Sequence, residues 1–544
     1  MDGVPPHGGP SYGGPSHDGH RVAEPPSAAG GPATAVPPIR PHPVRPPSAR
    51  LPSVRLPSIG LPRAVIALAG AVVAVLLAVS PWYGYHRDEL YFRMLGERPR
   101  LGYFDTPPLT PMIARLSTAV FGDTVFALRI VPALCAGTLV LLAALIAREL
   151  STQELGTRDL DAGRAAQVLA AAGTAGAVLP LIAGHSLLTL TPDLVLWLAV
   201  TLCLLRVLLR GDGRYWLWTG LLAGIASYNR DLIVLLLACA GLGLLVTGPR
   251  EVLRDRRLWL GALLALAIAS PNLVYQVTHD WPQLQMAEAL RADEGADNRI
   301  AFVPLQILLL GPPQAVVCVA GWLRLWRDRR VRSLALAYPV ACALVLLSGG
   351  RPDYTGAFLL YLFAAGCVTA AGWRRRTVLV VALAANAVVA VVLALPVVPA
   401  ASLAGTPVAA INEVARESVG MRDLAAQVGQ VVGTLPADER AGAVLLAGNY
   451  GEAGALRRWA GDFGLPAVHS GHNELWWWGP PPEGTRVAVS VGYPPGRLRT
   501  VFATCSVAGT VTGMPGEEQG VPITVCRDPL RPWRDLWPLA RHYS

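Results

Sequence analysis

From residue 64 onward, apolar runs of near-membrane length recur with short polar gaps, and they stop at residue 398. The first, AVIALAGAVVAVLLAV (64–79), is almost unbroken. A helix rises about 1.5 Å per residue, so about 20 apolar residues cross the ~30 Å hydrocarbon core of a bilayer. On that measure the pattern predicts eleven spans: 64–83, 125–147, 165–184, 190–209, 215–228, 231–248, 258–277, 301–323, 332–348, 354–372 and 377–398. Polar SYNRD interrupts the run between the fifth and the sixth.

Beyond residue 400 the periodicity changes. Helical spacing is found in ESVGMRDLAAQVGQVVGTL (417–435) and EAGALRRWAGDFG (452–464), and strand-like runs in AGAVLLAG (441–448), RVAVSVG (486–492) and ITVC (523–526). Residues 400–544 are therefore expected to form a small α/β domain. Ahead of the first span, residues 1–62 are rich in Pro, Gly, Ser, His and Arg and include RPPSARLPSVRLPSIGLPR. Such a composition buries no core and predicts a disordered tail. It is too long for a signal-peptide n-region, and SPWYGYHRDEL lacks a small-x-small cleavage site. The expected fold class is mainly α: a polytopic membrane domain (63–399) followed by the small C-terminal α/β domain.

Composition sharpens this picture. The chain is 53% hydrophobic and 15% charged, where a soluble domain carries roughly 25% charged residues. There is no lysine, so all 46 basic residues are arginine, which excludes a Walker or Schiff-base lysine. The net charge of +9 is scattered in clusters between apolar runs, a pattern of membrane topology rather than a nucleic-acid face. The loops 147–164, 206–214, 248–257, 324–332 and 374–376 carry three to five arginines each, while most of the intervening loops carry none to two. The positive-inside rule then places the N-terminus in the cytoplasm and the C-terminal domain outside the plasma membrane. Arginine-only basicity with abundant Ala and Gly suggests a GC-rich bacterial genome. Six cysteines lie in or beside spans, whereas Cys505 and Cys526 lie in the outer domain, where oxidising conditions favour a disulfide between them.

One loop breaks the charge pattern. YHRDELYFRMLGERPRLGYFDTPPLTP (85–111) follows the first span and holds two adjacent carboxylates, Asp88 and Glu89, then Asp105 ahead of Pro107 and Pro108, several arginines and five Tyr or Phe rings. As a simple interfacial loop it would be a short surface helix capped by Asp88, with an aromatic belt. As a site it supplies a carboxylate base, phosphate-neutralising arginines and sugar-stacking rings at a lipid–water boundary. An enzyme there would take an activated donor already in the membrane, and a polyprenyl-phosphate sugar fits.

Asp88–Glu89 after the first span, followed by GYFDTPPL (102–109), resembles the GT-C superfamily of membrane glycosyltransferases, in particular family 39, with the protein O-mannosyltransferases and lipid A aminoarabinose transferases. TPDLVLWL (191–198), LLAGIASYNRDLIVLLL (221–237), GRPDYTGAFLLYL (350–362) and SGHNELWWWGP (470–480) extend the resemblance. It implies an inverting hexosyl- or pentosyltransferase that uses a polyprenyl-phosphate sugar, with an acceptor hydroxyl on a protein, glycolipid or cell-wall glycan. Asp88 would be the base and Glu89 would position it or the acceptor. Asp105 matches an acidic position that in some relatives helps to bind a divalent metal, and His279 of the outer loop THDWP would join it. Arg230 and Arg351 stand near positions where relatives carry lysine facing phosphate, and Arg87 flanks the acidic pair. Tyr91, Tyr103 and Trp477 are the candidate sugar or acceptor contacts. Asp193 in TPD is read as a helix cap. A transporter or lipid flippase, and a non-catalytic member of the fold, stay open as alternatives.

Overall fold

The computed structural model describes residues 60–152, 160–513 and 516–543. The expected disordered tail lies outside the described residues up to position 59. The apolar runs form helices α1 (Arg63–Val79), α4 (Val125–Thr152), α5 (Leu160–Ala175), α6 (Val178–His185), α7 (Leu190–Arg210), α8 (Arg214–Ser227), α9 (Ile233–Val246), α10 (Arg256–Thr278), α11 (Pro282–Leu308), α12 (Pro312–Arg327), α13 (Arg332–Ser348), α14 (Gly356–Ala370) and α15 (Arg376–Ala394). Between α1 and α4 lie two shorter helices, α2 (Arg87–Gly96) and α3 (Leu109–Phe121).

Five helical stretches are each long and apolar enough to cross a membrane: α4, α7, α10, Pro352–Ala370 and α15. Two bent pairs qualify only together, α5 with α6 at 58° and α11 with α12 at 89°, which gives up to seven spans by length and composition among the described residues; the expected eleven also count the shorter helices α1, α8, α9 and α13. Of the remaining apolar runs, α1 and α9 are a few residues shorter than the expected spans, whereas α8 and α13 have the expected lengths. The SYNRD turn leaves α8 and α9 with 14 residues each, about 21 Å of helix. Burial orders the bundle: 78% of the apolar window in Pro352–Ala370 is buried against 11% in α10, so α14 is central and α10 peripheral. At the centre α12 and α14 approach backbone to backbone, because a Cβ on Gly366 would collide with the Val317 carbonyl.

The two helix breaks meet. Leu179 N–H donates to the Leu309 carbonyl at 2.8 Å. The Asn386 amide of α15 donates to the Gly176 and Leu310 carbonyls, each at 3.1 Å. Broken helices in an apolar layer need such partners, since no water is there to satisfy freed backbone groups.

The C-terminal region carries a five-stranded sheet of order β2-β1-β3-β5-β4. Its strands are β1 (Val444–Ala447), β2 (Val468–Ser470), β3 (Val487–Val491), β4 (Phe502–Thr510) and β5 (Pro522–Pro529). The β1 pairings are parallel and the β5 pairings antiparallel. Cys505 and Cys526 face each other across β4 and β5 and form a disulfide.

α2 is not the solvated surface helix that its charge suggests. Leu90, Tyr91, Phe92, Met94 and Leu95 are all buried, in one core with Leu424, Val428, Leu445 and Val489 of the C-terminal region. The five rings of the opening loop are likewise buried rather than forming an interfacial belt.

Candidate active site

α2 begins with a capping box. The His86 ring accepts the Asp88 N–H at 3.1 Å, and Glu89 accepts the His86 N–H at 2.9 Å. Glu89 is fully buried. Its oxygens also receive Arg129 Nε at 2.9 Å, Arg129 Nη2 at 2.8 Å and the Leu187 N–H at 3.0 Å. Arg129 in turn donates to the Ser80 and Gly84 carbonyls. Glu89 is thus occupied by Arg129 and backbone donors, an arrangement compatible with the expectation that it positions Asp88 and not one that leaves it open to an acceptor. It fixes the helix on which Asp88 stands.

Asp88 is half-buried and, one position earlier on the helix, points about 100° away from Glu89. Tyr450, at the start of the helix Tyr450–Arg458, donates its hydroxyl to Asp88 Oδ1 at 2.8 Å. Asp88 Oδ2 makes no hydrogen bond among the described residues. Beside it, Tyr91 packs on Tyr450 with ring centroids 4.7 Å apart and donates its hydroxyl to Asp105 Oδ1 at 2.9 Å. Two packed tyrosines thus each hold one aspartate. Asn473 Nδ2 donates to Asp105 Oδ2 at 3.1 Å. Asn473 has φ 50°, a left-handed conformation that Asn tolerates better than most residues. Burial pushes the Asp105 carboxyl up to about 6, although hydrogen bonds from Tyr91 and Asn473 favour its charged form; nearby Asp88 adds to the rise. Glu474 is fully buried, accepting the Phe104 N–H at 2.9 Å and Arg100 Nη1 at 3.1 Å. Burial raises it to about 7.

The arginines form a second cluster. Arg87 is committed to the protein: Nη1 lies 2.8 Å from Glu417 Oε1 and Nε donates to the Tyr450 hydroxyl at 3.1 Å. It supports Tyr450 rather than standing open for phosphate. Glu417 also takes His86 Nε2 at 2.8 Å. Burial raises Glu417, but His86, Arg87 and Arg351 together hold it below the usual carboxylate range. Arg351 therefore lies within electrostatic reach of the Asp88 helix. Arg351 Nε donates to Asp353 Oδ1 at 3.2 Å, and Arg230 Nη1 stands 3.9 Å from Asp353 Oδ2. Arg230 Nη1 is buried without a hydrogen-bond partner. The structure thus brings Arg230 and Arg351 together around one carboxylate.

Other expected residues lie elsewhere. Tyr103 is buried, with its hydroxyl bound to the Leu95 and Arg98 carbonyls, so it has no face for a sugar. His279 stacks on Tyr275 at 4.1 Å, and its Nδ1 is 2.9 Å from the Tyr275 carbonyl. Among the described residues no three His, Cys, Asp or Glu side chains are placed to hold a metal ion, and both Asp105 oxygens already have partners. As placed, Asp105 and His279 do not by themselves make a metal-binding group among the described residues. Trp477 is 44% exposed and lies edge-on to His279, leaving indole surface for a ligand. Asp193 accepts the Trp197 indole N–H at 3.0 Å instead of capping α7.

Sequence reading missed Arg129, Glu417 and Tyr450 as site residues. Arg129 sits inside the long apolar helix α4, and an arginine there is itself a signal for a buried acidic partner. Tyr450 belongs to the run NYGEAGAL, whose Asn449–Glu452 capping box was legible as a helix start. Nothing in the sequence says that this helix packs on α2.

Residues 105–275 match the model of the dolichyl-phosphate-mannose-protein mannosyltransferase family. No curated protein matches the sequence. The fold is similar to that of ArnT from Cupriavidus metallidurans bound to undecaprenyl phosphate, with a TM-score of 0.54 at 16% identity, covering 85% of this chain and 97% of that one. The apo form of that protein gives a TM-score of 0.52 at 16% identity, covering 85% and 96%. The oligosaccharyltransferase of Archaeoglobus fulgidus is a more distant likeness, with a TM-score of 0.43 at 13% identity, covering 72% and 61%. The chain is a multi-pass membrane protein with an ArnT-like fold that resembles the GT-C superfamily glycosyltransferases, among them the mannosyltransferases and ArnT.

Proposed function

We infer that the protein is a glycosyltransferase that moves a sugar from a polyprenyl-phosphate donor to an acceptor hydroxyl at the outer surface of the membrane. The observation that carries this reading is Asp88: one oxygen is fixed by the Tyr450 hydroxyl and the other is unpartnered, on a helix pinned from behind by Glu89 and Arg129. A base must present a free oxygen in a fixed direction. In the reaction the acceptor oxygen attacks the anomeric carbon and its proton passes to Asp88. The bond from that carbon to the phosphate oxygen breaks, and the polyprenyl phosphate leaves with the electron pair. A single displacement of this kind inverts the anomeric centre. Arg230 and Arg351 are the groups to neutralise the leaving phosphate, since arginine binds phosphate through two donors. The match to the mannosyltransferase family and the likeness to a protein bound to undecaprenyl phosphate support a lipid-phosphate donor.

The test is transfer by purified protein in lipid, with radiolabelled polyprenyl-phosphate sugars and a membrane and cell-wall acceptor extract. Asp88→Asn should lose about 10²–10⁴-fold in rate, the usual worth of a positioned base, while keeping its thermal unfolding profile. Equal turnover by a folded Asp88→Asn would remove Asp88 from the chemistry.

A further inference from the structure

α11 lies along the segment that carries Arg351. Gly349, left-handed at φ 72°, ends α13. A Cβ on it would come within 3.1 Å of the Gly295 Cα of α11, so the two backbones touch there. Asn298 Nδ2 donates to the Gly349 carbonyl at 3.4 Å. Arg299 Nε and Nη2 donate to the Leu346 and Leu347 carbonyls at 3.3 and 3.4 Å. Such carbonyls are freed at a helix C-terminus, where a cation also suits the helix dipole. About two turns further along α11, Gln306 reaches the other end of the same segment. Its Nε2 donates to the Pro352 carbonyl at 3.0 Å. Its Oε1 accepts the Thr355 hydroxyl at 2.8 Å and the Tyr338 hydroxyl at 3.2 Å.

Arg351 and Asp353 thus stand in a loop that α11 holds at both ends. Pro352–Thr355 form one short 3₁₀ turn, so a shift of the Pro352 carbonyl carries the backbone of Arg351 and Asp353 with it. Gln306 lies in the apolar stretch IAFVPLQILLL (300–310). In lipid a glutamine finds its hydrogen-bond partners across helices, and all three partners here are on α13 or in the turn before α14. Pro304 removes one N–H from the last turns of α11, and α11 bends by 89° into α12. The Gln306 bonds therefore tie a weakly braced helix end to the Arg351 loop.

We propose that Gln306 is a positioning residue of the donor site: through the Pro352 carbonyl and the Thr355 hydroxyl it sets the loop that presents Arg351 to the lipid phosphate. The inference rests on the reading of Arg230 and Arg351 as donor-phosphate groups. It adds a residue that acts through Arg351 and touches no reacting atom.

Full-length protein in discs of neutral lipid is titrated by calorimetry with a short-chain polyprenyl phosphate and with the matching polyprenol. A misaimed arginine loses part of a charge-assisted hydrogen bond, so Gln306→Leu should weaken the phosphate about 10-fold and leave the polyprenol unchanged. Thr355→Val keeps the side-chain shape and should act in the same direction. The double variant should be no weaker than the weaker single one, because the two residues share one bond. In the transfer assay the donor KM should rise and the acceptor KM should hold. Equal weakening of phosphate and polyprenol would mark Gln306 as helix packing and overturn the proposal. So would unchanged phosphate binding in Gln306→Leu and Thr355→Val, both unfolding at the wild-type temperature, beside weakened binding in Arg351→Gln; the donor reading would then stand. Phosphate binding indifferent to Arg351→Gln would fail the donor reading, and this inference with it.

Discussion

At the scale of single residues, the two aspartates differ in their surroundings and so in their expected chemistry. Asp105 is raised to about 6 from 3.8, with burial as the main cause. Between about pH 4 and 6 the folded protein therefore binds more protons than the unfolded chain. This group's stabilisation is present below about 4 and is lost as pH rises to 6. Activity should run the other way. If transfer needs the Asp105 carboxylate, kcat/KM rises with pH through a midpoint near 6, and a pH profile of Asp105→Asn should lack that limb. A limb that persists in the variant would belong to another group, with Glu474 at about 7 the next candidate. Tyr450→Phe removes the hydrogen bond to Asp88 and leaves the ring packing in place. Hydrogen bonds to charged groups are worth about 1.5–3 kcal/mol, so kcat should fall about 10- to 100-fold. Donor KM should change little, and steady-state kinetics separates the two. Asp88 and Asp105 were legible as candidates because carboxylates after a first span are unusual. Tyr450 was not, because its partner is 362 positions away in the chain. For Glu89 the sequence left open whether it positions the base or the acceptor, because a carboxylate next to the base reads alike whether it faces the site or, as here, a buried arginine in α4.

At the scale of elements, the sequence pattern located the helices but not the breaks inside them. Apolar periodicity marks where a helix can lie in lipid, but not where the backbone breaks inside it. The breaks at 176–177 and 309–311 are set by tertiary partners, and Asn386 serves both. Such a residue reads in sequence as an isolated polar position in VVALAANAVVAVV. β4 escaped notice for another reason: FATCSVAGT is mostly exposed and lacks an alternating apolar face. The joint at Asn386 makes a prediction. Asn386→Leu leaves the Gly176 and Leu310 carbonyls without a side-chain donor. Unsatisfied buried groups cost about 1–3 kcal/mol each, so thermal unfolding in detergent should shift clearly downward. Asn386→Gln should recover part of the loss, because its amide can still reach one carbonyl. A Leu variant as stable as wild type would mean that the breaks are held by helix packing alone.

At the scale of the whole molecule, the base stands on one part of the chain and its hydrogen-bond partner on another. Asp88 belongs to the loop after the first membrane helix, and Tyr450 to the C-terminal α/β region. Their helices touch along a glycine face. A Cβ at Gly454 would come within 2.8 Å of Leu90 Cβ, and one at Gly451 within 2.8 Å of Arg87 Cβ. Backbone and fixed Cβ atoms cannot yield as a flexible side-chain end can, so a larger residue must push the two helices apart. The same displacement would carry Tyr450 away from Asp88 and Arg87, and Tyr91 away from the Glu474 N–H that it accepts. Gly454→Val should therefore abolish transfer while the membrane helices insert and fold as before. Limited proteolysis should show faster cleavage in the C-terminal region of the variant, and its activity should fall at least as far as that of Tyr450→Phe. Full activity in Gly454→Val would show that the helix joint does not hold the site, and would shift that role to the Asp105–Asn473 and Phe104–Glu474 hydrogen bonds, which cross the same boundary independently.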